Sequence, residues 1–302
     1  MKIHVQAPAT SANLGPGFDC LGLALDLWNE LDVEVTGQGL KIVVEGEGKS
    51  EIAQNTSNAI YKAMLTYARR HEKTLPVGIK MTCLNRIPFG AGLGSSAAAA
   101  VSGILAASAL LEIPQDKADQ LECATRLEGH PDNVAPCLLG GLVASVMDGE
   151  KVIARSLAIA PLSLLVVTPD YQFPTKKSRA VLPLDVSRQD AIFNLSRLVF
   201  LTDALAKGDL DLLSMAMQDM LHQPHRIPLI PGATDAIAAA RAAGAVAVVL
   251  SGAGPSLMAV LKNAAVEKQV AATMIEAFQR AGLSARSFAL PIAQKGAGLQ
   301  IR

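Results

Sequence analysis

The chain has 302 residues, half of them hydrophobic and 18% charged, with 27 basic and 27 acidic side chains that cancel. That length suits two domains with a large core, and the zero balance supplies neither a basic stripe for nucleic acid nor an acidic tail. Four cysteines, at 20, 83, 123 and 137, show no C-x-x-C spacing and fit a reducing cytoplasm better than a disulfide or zinc framework.

Lys2 to Gln6 reads as a short strand, without a signal-peptide core. Ala7 to Phe18, rich in Pro, Ser, Thr, Asn and Gly, reads as a loop. Leu21 to Val35 is a strand, with Leu31, Val33 and Val35 at period two, and Leu40 to Glu45 its hairpin partner across Gly37 and Gly39. Asn55 to His71 is a helix capped by Thr56 or Ser57, with Ile60, Met64, Tyr67 and Ala68 on one face. Val77 to Leu84 is a strand. Ala97 to Leu111 is an apolar helix, shorter than the roughly 20 residues a bilayer span needs, and Gln115 to Glu128 follows as another. A polar loop, Gly129 to Pro136, leads to a hairpin of Leu142 to Met147 with Lys151 to Ser156, and to a strand from Leu162 to Thr168.

A soft domain boundary falls near residue 155, dividing the chain into 1–155 and 156–302. In the second half, Pro174 to Leu182 is a loop or short helix. Helices follow at Ala191 to Lys207, Leu210 to Met217, Thr234 to Ala243 and Ala264 to Ala281, and Leu221 to Pro231 is irregular. Strands run from Ala245 to Leu250, Ser256 to Leu261 and Ala285 to Leu290, which suits a split βαβ module.

One stretch organises the rest: Pro88-Phe-Gly-Ala-Gly-Leu-Gly-Ser-Ser-Ala-Ala98. Glycine takes positive φ and lets backbone approach a ligand closely. The loop aims N–H groups at one point, at the positive end of the apolar helix, and Ser95 supplies a cap. This is a phosphate cradle without the lysine of a Walker loop and without the G-x-G-x-x-G spacing of a dinucleotide site. The alternative is a plain glycine turn before a buried helix.

The stretch resembles the second motif of the GHMP family of small-molecule kinases, P-x-x-x-G-L-G-S-S-A, and the match is unbroken from Pro88 to Ala98. Two further family motifs stand near the chain ends, Ala7-Pro-Ala-Thr-Ser-Ala-Asn-Leu-Gly-Pro-Gly-Phe-Asp-Cys-Leu-Gly22 and Ser251-Gly-Ala-Gly-Pro-Ser256. The first of these is similar to the branch of the family that acts on L-homoserine. The resemblance implies an α+β chain: a first domain of mixed sheet and helices that binds ATP, and a ferredoxin-like second domain. It implies a kinase that uses ATP and Mg²⁺ to make O-phospho-L-homoserine on the route to threonine, as a homodimer. The nucleotide would lie along Pro88, Gly90, Ala91, Gly92, Leu93, Gly94, Ser95, Ser96, Ala97 and Ala98. The C-terminal motif would pack on the glycine loop without ligating metal.

The resemblance also assigns roles to the polar groups. Glu122 and Glu128 share one helix, six residues and about 120° apart, so they cannot both face one site. The family's magnesium carboxylate sits some ten residues before the Asp of a D-N pair, here Asp132-Asn133, which selects Glu122; Ser96 or Ser95 supplies a second oxygen. Gly129 to Pro136 resembles the family's H-x-D-N-V-A-P loop, presenting His130, Asp132 and Asn133 together, stiffened by Pro131 and Pro136. Asn133 positions the attacking hydroxyl; Asp132 is either a catalytic group or the cap of the short helix that starts there. An amino-acid zwitterion needs an anion for its ammonium and cations for its carboxylate. The resemblance places Asn13 and Asp19 at the amino acid and gives its carboxylate to Arg179 and Arg226, where arginine offers a two-pronged grip. Two readings compete: a GHMP kinase for an isoprenoid or sugar, and a binding protein that has lost catalysis.

Overall fold

The computed structural model describes residues 2–302. Strand β1 (Lys2–Asn13) and the long β2 (Gly17–Val35) run antiparallel, with register shifts at Pro8/Ala9 and Ala12/Asn13. The expected loop over Ala7 to Phe18 is therefore strand almost throughout, and only residues 14–16 turn. Residues 7–13 are buried on both faces, so the polar-apolar alternation that marks a half-exposed strand is missing there.

Strand β3 (Leu40–Gly46) is not a hairpin partner of β2. Helix α1 (Ala59–Arg70) carries the chain to β4 (Ile79–Asn85), which inserts antiparallel to β2 and takes β3 as a parallel neighbour on its far edge. The cap of α1 is Asn58, whose side chain accepts from the amides of Ile60 and Tyr61, rather than Thr56 or Ser57; Ile60, Met64, Tyr67 and Ala68 do form its buried face. Helix α2 (Ser95–Leu110) has 13 of its 16 residues buried, as an all-round apolar helix must. It packs against α1, β1 and α3 (Lys117–Glu128). The short α4 (Val134–Leu139) leads into the hairpin of β5 (Leu142–Asp148) and β6 (Lys151–Leu157), and β5 pairs with the start of β2 at Leu21 to Leu23.

A second sheet starts at β7 (Ser163–Pro169). Helices α5 (Thr175–Ala180), α6 (Arg188–Lys207), α7 (Leu210–Ala216), α8 (Gln223–Arg226) and α9 (Ala233–Ala242) follow. Then come β8 (Ala245–Leu250), β9 (Leu257–Leu261), α10 (Glu267–Arg280) and β10 (Ala285–Ala289). The sheet order is β10-β7-β9-β8, antiparallel throughout, with α9 and α10 packed together against it. This is the expected ferredoxin-like arrangement, and the class is α+β. A strand that sequence reading missed, β11 (Gly298–Ile301), returns to the first sheet and pairs with the outer edge of β1. A division proposed at 155/156 falls within β6, and it leaves this last strand on the first domain's sheet.

Candidate active site

The three sequence motifs meet where the two sheets' loops face each other. Gly90, Gly92 and Gly94 all have positive φ, at 67°, 79° and 69°, so successive amides turn toward one side. Gly92 has no alternative: a Cβ there would collide with the Ser251 carbonyl and come within 2.7 Å of the Gly254 oxygen. The C-terminal motif is pressed onto the loop by Ser251 Oγ, which donates to Gly92 O at 2.8 Å, and by the Ser256 amide on Ala91 O. Ser95 is not the cap of α2. Gly94 occupies that position with no side-chain hydrogen bond, and Ser95 is the first helical residue, so the first amides of a 16-residue helix stay open to a ligand.

A cavity of about 360 Å³ joins this loop to the other predicted groups: Asn13, Asp19, His130, Asp132, Asn133, Arg179 and Arg226 all line it, with Gly90, Ala91, Gly92, Gly94, Ser95 and Ser96. Four members of the predicted nucleotide set do not. Leu93 and Ala97 are buried in the core, Pro88 lines an adjoining cleft, and Ala98 lines a neighbouring apolar cavity.

Glu122 is not in the site. Its Oε2 accepts from Arg70 Nη2 at 3.0 Å on the outer surface between α1 and α3. The carboxylate that α3 delivers to the cavity is Glu128, in its last turn, and Ser96 Oγ donates to Glu128 Oε2 at 2.6 Å. The 120° separation of the two glutamates does put one inside and one outside; the residue adjoining the Gly129 to Asn133 loop is the one inside. Burial raises the Glu128 pKa above the usual carboxylate value, partly offset by the Ser96 hydroxyl and by His130. Among the described residues no lysine or arginine pairs with it. An oxygen-rich pair holding a buried charge without a cation fits a hard divalent ion.

Asp132 is 2% exposed, and its Oδ1 accepts from His130 Nδ1; that bond raises the His130 pKa despite burial. Asp132 does not cap α4: Asn133 stands at the cap position, and no side chain bonds the helix amides. The Asn133 carboxamide is held by Thr10, which is fully buried and donates from Oγ1 to Asn133 Oδ1 at 2.8 Å. That bond assigns Oδ1 to Thr10 and leaves the Nδ2 hydrogens to the cavity. Thr10 lies in the stretch misread as a loop.

Across the cavity, Asp19 and Arg179 form a two-pronged pair at 2.9 and 2.8 Å. Asp19 sits at φ 54° and Asn13 at 72°, both rare for non-glycine residues. Asn13 holds the turn, accepting from the Asp19 amide and donating to Gly252 O. Arg226 is only 2% exposed, lies over the Phe18 ring at 5.1 Å, and burial pushes its pKa down to about 10. Phe18 and Phe173 complete the apolar part of this wall.

The GHMP kinases N terminal domain model matches residues 58–141 and the GHMP kinases C terminal model residues 201–282. A glycine cradle, a buried carboxylate with a serine hydroxyl, and a charged acceptor pocket between two sheets are the parts of a small-molecule phosphotransferase. The chain belongs to the GHMP kinase family. Within it, the chain is similar to proteins named homoserine kinase. That of Moorella thermoacetica is 47% identical over 92% of this chain and 93% of its own, and that of Carboxydothermus hydrogenoformans 42% identical over 94% and 92%. The crystal structure of homoserine kinase from Cytophaga hutchinsonii superposes with a TM-score of 0.88 at 29% identity, covering 99% of this chain and 97% of that one. Mevalonate kinase from L. major, at 16% identity and a TM-score of 0.72, shares the fold.

Proposed function

We propose that this chain transfers the γ-phosphoryl group of ATP to the side-chain hydroxyl of L-homoserine, giving O-phospho-L-homoserine and ADP in threonine biosynthesis. The observation that carries the reading is the presence of Asp19 and two arginines, one of them buried, in the same cavity as the glycine cradle. An ammonium on Asp19 and a carboxylate on Arg226 and Arg179 give that charge pattern a purpose that an isoprenoid or sugar does not.

The triphosphate lies on the amides of Gly90 to Ser96. Its base enters the apolar cavity of about 240 Å³ that shares Phe89, Ser95 and Ser96 with the main one and is otherwise walled by Ile52, Asn58 and Ala98 among others. Ser96 and Glu128 are the residues that would hold Mg²⁺, which would supply positive charge against the phosphate charge that grows in transfer. The homoserine oxygen attacks the γ-phosphorus as the bond to the ADP oxygen breaks. In a loose transition state the hydroxyl keeps its proton until late and then gives it to an oxygen of the transferred phosphoryl group, so alignment matters more than a strong base. Asn133 Nδ2 supplies that alignment, with Thr10 fixing which end of the amide faces the substrate. Asp132 anchors His130 at the amino-acid end.

A coupled ADP-release assay with homoserine, mevalonate and galactose tests the reading. Turnover on homoserine alone is the expected outcome, and activity on either of the others in its place would sink it. Arg226→Leu is expected to raise the KM for homoserine on the order of a hundredfold, the worth of a desolvated charge pair, with the KM for ATP little changed.

A further inference from the structure

Behind Arg226 stands a buried polar post that the phosphoryl-transfer scheme leaves without a task. His222, fully buried beside the first turn of α8, lies between the guanidinium and the turn of residues 14–16. Its Nε2 is 2.9 Å from the Gly15 carbonyl and its Nδ1 is 3.3 Å from Arg226 Nη1. A carbonyl oxygen can only accept and a guanidinium can only donate. The two partners therefore select the neutral imidazole with its hydrogen on Nε2 and its lone pair on Nδ1. Burial holds the ring below its usual pKa, against the pull of Asp219, whose carboxylate lies 3.6 Å from Nε2. The other charged groups that face it are Arg226 and, further off, Asp19.

The surroundings hold this post rigidly. Asp219 accepts from Asn194 Nδ2 and from the amides of Leu221, His222 and Gln223 at 2.7 to 3.0 Å. Phe18 stacks on the His222 ring at 5.1 Å. Gly15 can only be glycine, since a Cβ there would strike the Met217 carbonyl. Arg226 gives Nε to the Ser178 carbonyl and Nη1 to His222, while its Nη2 makes no hydrogen bond to protein among the described residues.

We propose that His222 is a specificity-determining positioning residue. Its Nδ1 lone pair turns the Arg226 guanidinium so that Nη2 faces the cavity, and its Nε2–H ties that setting to the turn of residues 14–16, which leads into Phe18 and Asp19. The Nδ1 contact sets the carboxylate grip, and the Nε2–H contact fixes the tautomer that leaves that lone pair free. The proposal rests on the amino-acid-alcohol reading of the cavity.

Two variants separate the two hydrogen bonds. Asparagine can place an accepting oxygen where Nδ1 stands, and glutamine can place a donating nitrogen where Nε2 stands. His222→Gln is expected to raise the KM for homoserine about tenfold, the worth of one hydrogen bond to a charged group, with the KM for ATP within about twofold. His222→Asn keeps the homoserine KM within about threefold of wild type, a change of under ~1 kcal/mol. Equal damage from both variants, or equal shifts for homoserine and ATP, would overturn the proposal. Imidazole nitrogen NMR of the ligand-free wild type gives a second readout that needs no substrate: hydrogen on Nε2 at neutral pH is expected, and hydrogen on Nδ1 overturns it. Failure of the substrate reading has its own signature, a wild type that releases no ADP on homoserine.

Discussion

Burial holds the Glu128 carboxyl above the usual glutamate range, so the free protein keeps its charge at a cost in stability. The sign follows from linkage: an acid whose folded pKa is raised costs nothing below its unfolded value and its full penalty above its folded one. Glu128→Gln is expected to melt higher than wild type at pH 8, with the difference shrinking toward pH 4, while losing at least about a hundredfold in turnover with MgATP. Calorimetry across pH and steady-state kinetics check the two halves. In wild type, the acid limb of kcat/KM for MgATP should lie above the ordinary glutamate range. Ser96→Ala should move that limb higher still, because the Ser96 hydrogen bond, with the charge on His130, is what holds the rise in check. Glu122→Gln breaks only a surface pair with Arg70 and should leave turnover within about twofold. Residue types alone did not separate the two glutamates, and helical geometry said only that they part. What decides is the Ser96 hydroxyl, which the fold carries to α3 across 32 positions of sequence. Thr10 is the converse case, in view in the first motif but unassigned. Thr10→Val should lower kcat about tenfold with both KM values held, and Thr10→Ser should recover most of it, because the lost contact is one hydrogen bond that orients Asn133.

At the scale of elements, local chemistry was read well where an element packs with one face and badly where it is covered on two. The single buried face of α1 was legible residue by residue. Strand β1 was not, because its second half is enclosed on both sides and its Pro, Ser, Thr and Asn content mimics a turn. The pairing of β3 was missed for another reason: the two glycines before it suggest a tight hairpin, yet the strand that fits beside β2 is supplied some 40 residues later, after α1. The glycine loop was legible because positive φ and close approach demand one residue type. Gly92→Ala tests that demand. With φ at 79° and the Ser251 and Gly254 carbonyls in the way, it should destabilise the protein by more than the ~1–2 kcal/mol of the backbone conformation alone. It should also raise the KM for ATP more than that for homoserine, as thermal melts and kinetics would report.

Taken as a whole, the molecule closes its first sheet with its last strand, and β11 covers the outer edge of β1. The chain truncated after Ala297 should expose that edge and aggregate, whereas the full chain should stay dispersed; light scattering distinguishes the two. The return of the chain has a mechanical meaning as well. Two covalent segments run between the sheets, one after β6 and one before β11, so the second sheet is tethered to the first at two points rather than one. Those two tethers and the apolar core shared by both sheets, to which Leu164, Val166 and Val249 contribute from the second, resist any slide of Arg179 and Arg226 past Asp19, so the charges that meet a substrate are set before it arrives.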